Sequence, residues 1–365
     1  MKSFVHIGAP KTGSTSIQTF LHENTGALAR KGFRYHVNVK GRGSQWEYPM
    51  AANHVEGCLL NPAQRSRYHA NTLEEQAERV KKHLAALRKF PIRWQEPTAL
   101  FSSEHILPWL KSANLVNAMD TIFSDVFSEV HYILYLRNPA DLIVSQYSER
   151  VKRGSSFTFD QFFERRLPGL DHYAVVKRWH DVVGPDRISV RLLDRDFLIN
   201  GDLIDDYSAQ CGINVEGLKR PPRENEALTA AGAEALRALN QRIPELDSNG
   251  RYNPLRNDLL RAVMQASENM PPLALFPRHQ KKLENATAAS MEKLRSELFP
   301  ERPVLFTSRK HGQSITKLID IRERALDIVA KVIVDLRMEE ISPLTRRQKA
   351  KAVAYSPDLS VNEKS

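Results

Sequence analysis

Residues 8–16 combine residue types that bind phosphate or sulfate with a spacing that brings them to one place. The segment Gly8-Ala-Pro-Lys-Thr-Gly-Ser-Thr-Ser16 follows an apolar run and precedes a stretch with helical periodicity. Backbone N–H groups at a helix start attract anions, and glycines let the backbone approach a ligand closely. The predicted anion-contacting residues are Pro10, Lys11, Thr12, Gly13, Ser14, Thr15 and Ser16.

The lysine of this loop stands in an unusual place. A nucleotide-binding loop of the Walker A type reads G-x-x-x-x-G-K-[ST]. Here Ser14 occupies the lysine position, and Lys11 lies inside the loop. The lysine is therefore predicted to reach the anion from a different side. For the loop taken alone, a Gly/Ser/Thr-rich turn that merely opens a helix is the alternative.

A second segment places an arginine and a serine eight residues apart. Arg137 follows a buried-type strand, and Ser145 lies in the helix that Asn138 and Pro139 begin. An arginine at the carboxyl end of a parallel strand points into the crevice where such sheets bind ligands. A guanidinium fork and a hydroxyl together suit a phosphomonoester. The alternative is that Arg137 forms a surface ion pair.

The two segments together resemble sulfotransferases that use 3′-phosphoadenosine-5′-phosphosulfate (PAPS), closest in pattern to bacterial carbohydrate sulfotransferases. In that family a PKxGST loop binds the 5′-phosphosulfate, and its lysine contacts the bridging oxygen and the sulfuryl group. The spacing R-N-P-x-D-x-x-x-S resembles the family's 3′-phosphate motif. Residues 188–213 and 223–240 are similar in pattern to later family segments, so the resemblance covers about residues 1–306. It implies PAPS as donor, adenosine 3′,5′-bisphosphate (PAP) as product, and no metal.

The resemblance also implies a general base, which is His or Glu in the family. Glu104 is the predicted base, because the segment FSSEHI resembles the Ser-Glu of glycan-modifying members, and His105 is the alternative. A glutamate buried beside Lys11 would stay ionised, as a base requires, provided that the lysine's charge outweighs desolvation. A purely structural role for Glu104, as a cap or as a partner of Arg137, is the competing interpretation.

The acceptor side is assigned to residues 41–71, which contain aromatic and polar side chains. Trp46 and Tyr48 are predicted to stack on a sugar face, and His54 to hydrogen bond it. Ordinary packing is the alternative role for each of them. The favoured acceptor is a carbohydrate or glycan hydroxyl.

Buried-type strands alternate with helices along the first two-thirds of the chain, which indicates a parallel sheet covered on both faces. The predicted fold is α/β: a P-loop-like three-layer sandwich with a central parallel sheet and helical C-terminal additions. Strands are predicted at residues 4–8, 33–39, 98–102, 130–136 and 187–193. Helices are predicted at residues 14–32, 71–89, 110–127, 139–154, 173–183, 203–211, 227–241, 257–268, 277–299 and 315–336.

The predicted organisation is one main domain with additions. A sulfotransferase-like domain spans residues 1–312 and carries an acceptor-side insertion at about residues 41–97. A C-terminal helix extension follows at residues 313–340. The polar and basic tail at residues 341–365 is predicted to be disordered.

The composition of the chain limits the kinds of ligand that are expected. A net charge of +10 suits anionic ligands such as PAPS, PAP or an acidic glycan. No nucleic-acid-binding motif accompanies the charge, so nucleic acid is not expected. The two cysteines lie far apart, and there is neither a signal-like start nor an apolar run of transmembrane length. A cytoplasmic protein is expected, with peripheral contact of its basic surface to a membrane left open. The rival functions are a P-loop nucleotide kinase or NTPase and a non-catalytic PAP-binding protein.

Overall fold

The computed structural model describes residues 1–36, 44–222, 227–243, 253, 255–307 and 318–341. The chain divides into two compact units. The first comprises Met1–Gln146, Phe163–Asn225 and Arg278–Lys310, and the second comprises Tyr147–Phe162, Glu226–Pro277 and His311–Ser365. This division differs from the predicted one at residue 312, because residues 226–277 also belong to the second unit.

The first unit contains a five-stranded sheet in which every neighbouring pair is parallel. Its strand order is β2-β3-β1-β4-β5. The strands are β1 (Lys2–Ile7), β2 (Phe33–Tyr35), β3 (Thr98–Ser103), β4 (Glu129–Leu136) and β5 (Ile188–Leu192). All five strands were predicted, and the α/β class with a central parallel sheet is confirmed.

Helices cover both faces of the sheet, which explains why its strands are almost continuously apolar. On one face α8 (Ala113–Ser124) and α11 (His172–Val183) pack over Val5, Phe101 and Tyr132. On the other face α1 (Ser14–Glu23) and α12 (Leu203–Cys211) pack over Leu100 and Ile133. The helices of this unit are α1 (Ser14–Glu23), α2 (Thr25–Arg30), α3 (Glu47–Val55), α4 (Pro62–Tyr68), α5 (Leu73–Arg88), α6 (Phe90–Arg93), α7 (Ile106–Trp109), α8 (Ala113–Ser124), α11 (His172–Val183), α12 (Leu203–Cys211) and α15 (Pro277–Leu298), while α9 (Pro139–Lys152) and α10 (Phe159–Arg166) have residues in both units.

The predicted helix at residues 14–32 is in fact two helices, α1 and α2. The Asn24 amide donates hydrogen bonds to the Phe20 carbonyl at 2.8 Å and to the Lys219 carbonyl at 2.9 Å. Its side-chain oxygen accepts from the Lys219 N–H at 2.8 Å. This tertiary contact ends α1 at a point where the sequence periodicity would have continued.

The insertion before β3 contains two helices that are absent from the predicted set. Helices α3 and α4 lie within residues 44–71, and they pack in a cluster with Met50, Leu60, Val80 and Trp109. The following helix α5 lies within the predicted range 71–89. It begins with a capping box, in which the Thr72 hydroxyl accepts from the Glu75 N–H and the Glu75 side chain accepts from the Thr72 N–H.

The second unit is helical. It contains α13 (Ala230–Asn240), α14 (Leu255–Ala266) and α16 (Leu318–Ile341), and α16 packs against both of the others. Of the tail predicted at residues 341–365, Ile341 ends α16, and residues 342–365 lie outside the described residues. Of the helices within the described ranges, none combines the length and the apolarity needed to cross a bilayer.

Candidate functional site

The loop between β1 and α1 is held closed by its own side chains. The Thr12 hydroxyl donates to the Ala9 carbonyl at 2.9 Å, and the Ser14 hydroxyl donates to the same carbonyl at 3.4 Å. Both side chains are buried. Thr12 and Ser14 therefore shape the loop with their hydroxyls, while Thr15 is exposed and Ser16 is half-buried at the helix start.

Two residues of this loop adopt left-handed backbone conformations. Lys11 has φ 63° and Gly13 has φ 82°. Such a conformation is routine for glycine but costs a lysine of the order of 1–3 kcal/mol. It is a local strain of the kind that clusters at ligand-binding sites. Gly13 is doubly required, because a Cβ there would lie 2.2 Å from a methyl group of Leu203.

The N-terminus of α1 is open to an anion. No described side chain caps this end, and the first turn carries no acidic residue. The unpaired N–H groups and the helix dipole of such an end favour negative charge. Residues 13–16, which were predicted to contact an oxyanion, thus start a ten-residue helix with the expected electrostatic character.

Gly8 brings the end of β3 against the loop. A Cβ on Gly8 would lie 2.5 Å from the Ser103 carbonyl oxygen and 2.6 Å from the Glu104 Cα. The Gly8 N–H also donates to the Ser103 carbonyl at 2.9 Å. Glycine at this position therefore allows the candidate base to stand beside the candidate anion loop.

Arg137 joins the two sequence motifs. Its Nη1 donates a hydrogen bond of 2.8 Å to the Lys11 carbonyl oxygen. The Arg137 carbonyl in turn lies 2.8 Å from His172 Nε2. Burial lowers the pKa of His172, so the neutral ring donates from Nε2 to this carbonyl. The two predicted site residues Lys11 and Arg137 are thus in direct contact, at the carboxyl ends of the paired strands β1 and β4.

Ser145 does not line the cleft next to the loop, whereas Arg137 does. Ser145 is half-buried on α9. The α9 residues that line the adjoining cleft are Leu142 and Gln146. The assignment of Ser145 to a 3′-phosphate therefore stays a prediction.

Glu104 is not buried, and it does not pair with Arg137 through any described contact. Its side chain is 48% exposed, and its Oε1 lies 3.9 Å from His105 Nε2. Its backbone N–H is anchored by the Ser44 hydroxyl at 2.9 Å.

His105 is more enclosed than Glu104 and has a specific partner. Its side chain is 16% exposed, and its Nε2 lies 3.0 Å from the Tyr68 hydroxyl. The ring also lies over Trp109, with ring centroids 4.6 Å apart. Tyr68 was not predicted as a site residue. Both predicted bases lie next to the loop. They differ in the exposure of their side chains and in the hydrogen-bond partners of those side chains.

The predicted acceptor residues divide into three cases. Trp46 is half-buried and lies against Tyr68 with ring centroids 4.8 Å apart, so it joins the aromatic cluster around His105. Tyr48 is a correction: it is 1% exposed and packs between Phe101 and Phe123, which leaves no ring face for an acceptor. His54 is half-buried near the end of α3.

A small cleft with a cavity volume of about 60 Å³ adjoins the loop within the first unit. This volume is well below the few hundred Å³ of typical small-ligand pockets. It contains two residues that sequence reasoning missed, Gln146 and Arg166, together with His172. Its walls are formed by Ala9, Pro10, Thr12, Leu107, Tyr135, Leu136, Arg137, Leu142, Gln146, Arg166, Gly169, Leu170, Asp171, His172 and Val175. Across the described ranges, no group of three or more His, Cys, Asp or Glu is arranged to hold a metal ion.

No protein-family model and no curated protein matches this chain. Among solved structures, a sulfotransferase from Alicyclobacillus acidocaldarius is similar over 81% of this chain and 95% of that chain. The sequence identity is 14% and the TM-score is 0.46. The function proposed below therefore rests on this chain's own residues.

Proposed function

We propose that this protein transfers a sulfuryl group from PAPS to an acceptor hydroxyl, with a carbohydrate or glycan as the acceptor, and releases PAP. The observation that carries the proposal is the 2.8 Å bond from Arg137 to the Lys11 carbonyl. It joins a loop suited to a phosphosulfate with a guanidinium suited to a phosphomonoester. PAPS is a donor that carries both groups on one nucleotide.

The α1 N-terminus and residues 10–16 would hold the 5′-phosphosulfate, and Arg137 with Ser145 would hold the 3′-phosphate. The acceptor oxygen forms a bond to sulfur as the bond from sulfur to the bridging phosphate oxygen breaks. Lys11 offsets the negative charge that develops on that leaving oxygen. The acceptor's proton passes to the base. Alignment and charge compensation are the main contributions a protein makes to such group transfers.

Glu104 remains the proposed base, with His105 as the alternative. Exposure keeps Glu104 accessible to an acceptor, whereas His105 is held by Tyr68 in a fixed orientation. Glu104→Gln should lower the transfer rate about 10²–10⁴-fold, the usual contribution of a general base. His105→Gln is the matched variant on the neighbouring residue. Full activity in Glu104→Gln with the loss in His105→Gln would move the role to His105.

A nucleotide kinase or NTPase is the rival proposal. Ser14 at the Walker lysine position counts against it, because the γ-phosphate would lack that cation. Thermal unfolding in parallel with PAPS, PAP and ATP–Mg²⁺ separates the two. PAPS and PAP should raise the midpoint, since a ligand that binds only the folded state stabilises it. Stabilisation by ATP–Mg²⁺ alone would overturn the sulfotransferase proposal.

A non-catalytic PAP-binding protein is the third candidate. It would be stabilised by PAP in the same experiment but would move no sulfate to any member of a glycan panel. The surplus of positive charge favours an anionic glycan as acceptor. Trp46, which packs against Tyr68, the partner of His105, would supply an aromatic face for a sugar ring. A cytoplasmic location accords with the two free cysteines, Cys58 and Cys211.

A further inference from the structure

A tyrosine that has no part in the mechanism above contacts one of the two candidate bases. Tyr68 is the last residue of α4, and its hydroxyl lies 3.0 Å from His105 Nε2. Its ring lies against Trp46 and Trp109, with ring centroids 4.8 and 5.6 Å apart. The His105 ring lies over the same buried Trp109, with 4.6 Å between the ring centroids. Shared aromatic neighbours therefore hold the tyrosine and the histidine in a fixed relative position.

The hydrogen bond between Tyr68 and His105 has a definite direction. Burial raises the pKa of the Tyr68 hydroxyl, the charge of Arg67 opposes this rise, and the charges of Glu104 and Glu47 add to it. The phenol therefore keeps its proton near neutral pH. Across the described residues, its hydroxyl has no hydrogen-bond partner other than His105 Nε2. The O–H group therefore donates to Nε2, and a neutral ring then carries its own proton on Nδ1.

The location of the ring proton affects the neighbouring carboxylate. Glu104 Oε1 lies 3.9 Å from the same His105 Nε2. A ring protonated at Nε2 would direct an N–H towards this carboxylate, and a hydrogen bond to the charged form stabilises that form. The carboxylate would then take up a proton less readily, which makes it a poorer general base. An Nε2 that already accepts from Tyr68 leaves the carboxylate available to the acceptor hydroxyl.

We propose that Tyr68 is a positioning residue for proton transfer: its hydrogen bond keeps His105 Nε2 free of a proton and so leaves Glu104 as the general base. This inference rests on the proposed sulfuryl transfer, and it gives His105 a supporting role in place of the role of base. The acceptor hydroxyl gives its proton to the Glu104 carboxylate as its oxygen forms a bond to sulfur. The bond from sulfur to the bridging oxygen breaks in the same step, and its electron pair leaves with PAP. Tyr68 and His105 keep their protons throughout.

The first measurement reads the protonation of the His105 ring directly and needs no acceptor. Long-range ¹H–¹⁵N spectra of the histidine-labelled full-length protein, recorded at about pH 8, above the usual pKa of histidine, distinguish protonated from unprotonated ring nitrogens. The His105→Phe variant identifies which signals belong to His105. In the wild type this ring should be protonated at Nδ1 alone, whereas in Tyr68→Phe its Nε2 should gain a proton. A proton on Nε2 in the wild type, or identical spectra of the two proteins, would overturn the proposal.

The second measurement follows radiolabelled sulfate from PAPS to a pooled panel of neutral and anionic glycans. Tyr68→Phe should lower the transfer rate at saturating PAPS about tenfold, the scale of one hydrogen bond to a charged group, while PAP affinity stays the same. Tyr173→Phe is the matched control, because it also removes one hydrogen-bonded hydroxyl from a half-buried tyrosine. This control should transfer sulfate at the wild-type rate.

Combining the substitutions separates a positioning role from a merely structural one. Because Tyr68 acts through His105, Tyr68→Phe should have no further effect on transfer in a His105→Phe protein, and His105→Phe should lose less activity than Glu104→Gln. An equal effect of Tyr68→Phe in both backgrounds, or a loss in His105→Phe as deep as in Glu104→Gln, would overturn the proposal. A wild type that moves no label would count against the proposed function, while the spectra still decide the role of Tyr68. Unfolding midpoints show whether each variant is folded.

Discussion

At the residue scale, Lys11 has a left-handed backbone conformation. A substitution there can therefore remove its ammonium group without destabilising the loop. In Lys11→Gly the backbone strain is relieved, but the unfolded chain gains about 0.4–1 kcal/mol of conformational entropy. Relief of about 1–3 kcal/mol of strain outweighs or matches this loss, so the variant should be as stable as the wild type or more stable. Sulfuryl transfer should still be lost, because no cation remains at the leaving oxygen. Chemical denaturation and a transfer assay on the same sample measure both quantities.

Lys11→Ala is the matched variant for this prediction. It removes the same ammonium but keeps a Cβ in the left-handed region, so it should be less stable than Lys11→Gly and equally inactive. Transfer at the wild-type rate in either variant would remove Lys11 from the mechanism.

At the element scale, the contact between β1 and β3 depends on Gly8. Gly8→Ala would put a Cβ within 3 Å of the backbone at Ser103 and Glu104, so one of the two segments must move. We expect a loss of about 1–3 kcal/mol in the free energy of unfolding, the usual cost of overpacking. Gly26→Ala is the control, because Gly26 lies in α2 with only the flexible end of Arg30 near its Cβ position. Alanine there should be neutral or stabilising. Equal effects of the two substitutions in urea denaturation would contradict this account.

Strand β1 also carries a buried histidine that couples the fold to pH. Burial lowers the pKa of His6 from the ordinary 6.5 to about 3, and its Nδ1 lies 2.8 Å from the Ser102 hydroxyl. Between these pH values the unfolded chain binds a proton that the folded chain does not. The free energy of unfolding should therefore fall as pH drops from about 6.5 towards 3. Urea denaturation across this range should show a shallower fall in His6→Gln. An identical pH dependence in the two proteins would contradict the assignment to His6.

At the scale of the whole molecule, the sequence predicted the sheet well and the helices around it less well. The buried strands β3 and β4 are recognisable as apolar runs, and Thr72 and Glu75 mark the start of α5. Helices α3 and α4 escaped prediction because short helices depend on tertiary burial more than on local periodicity.

The site was predicted only in part, for related reasons. The loop and Arg137 have recognisable local motifs, and the structure brings them into contact. Arg165 and Arg166 are equivalent in the sequence, where both indicate a charged surface. In the structure Arg165 is exposed, whereas Arg166 is half-buried next to Gly169 and Gln146. Likewise Trp46 and Tyr48 are equivalent in the sequence, but only Tyr48 lies inside the core. Residues without a local motif acquire a role through long-range contacts, which one sequence does not reveal.

The contact between Arg137 and the Lys11 carbonyl predicts how the protein binds a nucleotide. Arg137→Gln should weaken PAP binding at least about tenfold, the scale of a charged hydrogen bond. Affinity for adenosine 5′-phosphosulfate, which lacks the 3′-phosphate, should fall less. Arg150→Gln, an exposed position on α9, is the charge-matched control. Calorimetry measures all of these affinities, and an unchanged PAP affinity in Arg137→Gln would contradict the 3′-phosphate assignment.

The most direct test of the central claim is the transfer of radiolabelled sulfate from PAPS to a panel of neutral and anionic glycans. The wild-type protein should move the label to at least one glycan and release PAP in equal amount, whereas Lys11→Ala should move none. Binding of PAPS without label on any glycan, or equal labelling by wild type and Lys11→Ala, would contradict the proposal that this chain is a sulfotransferase.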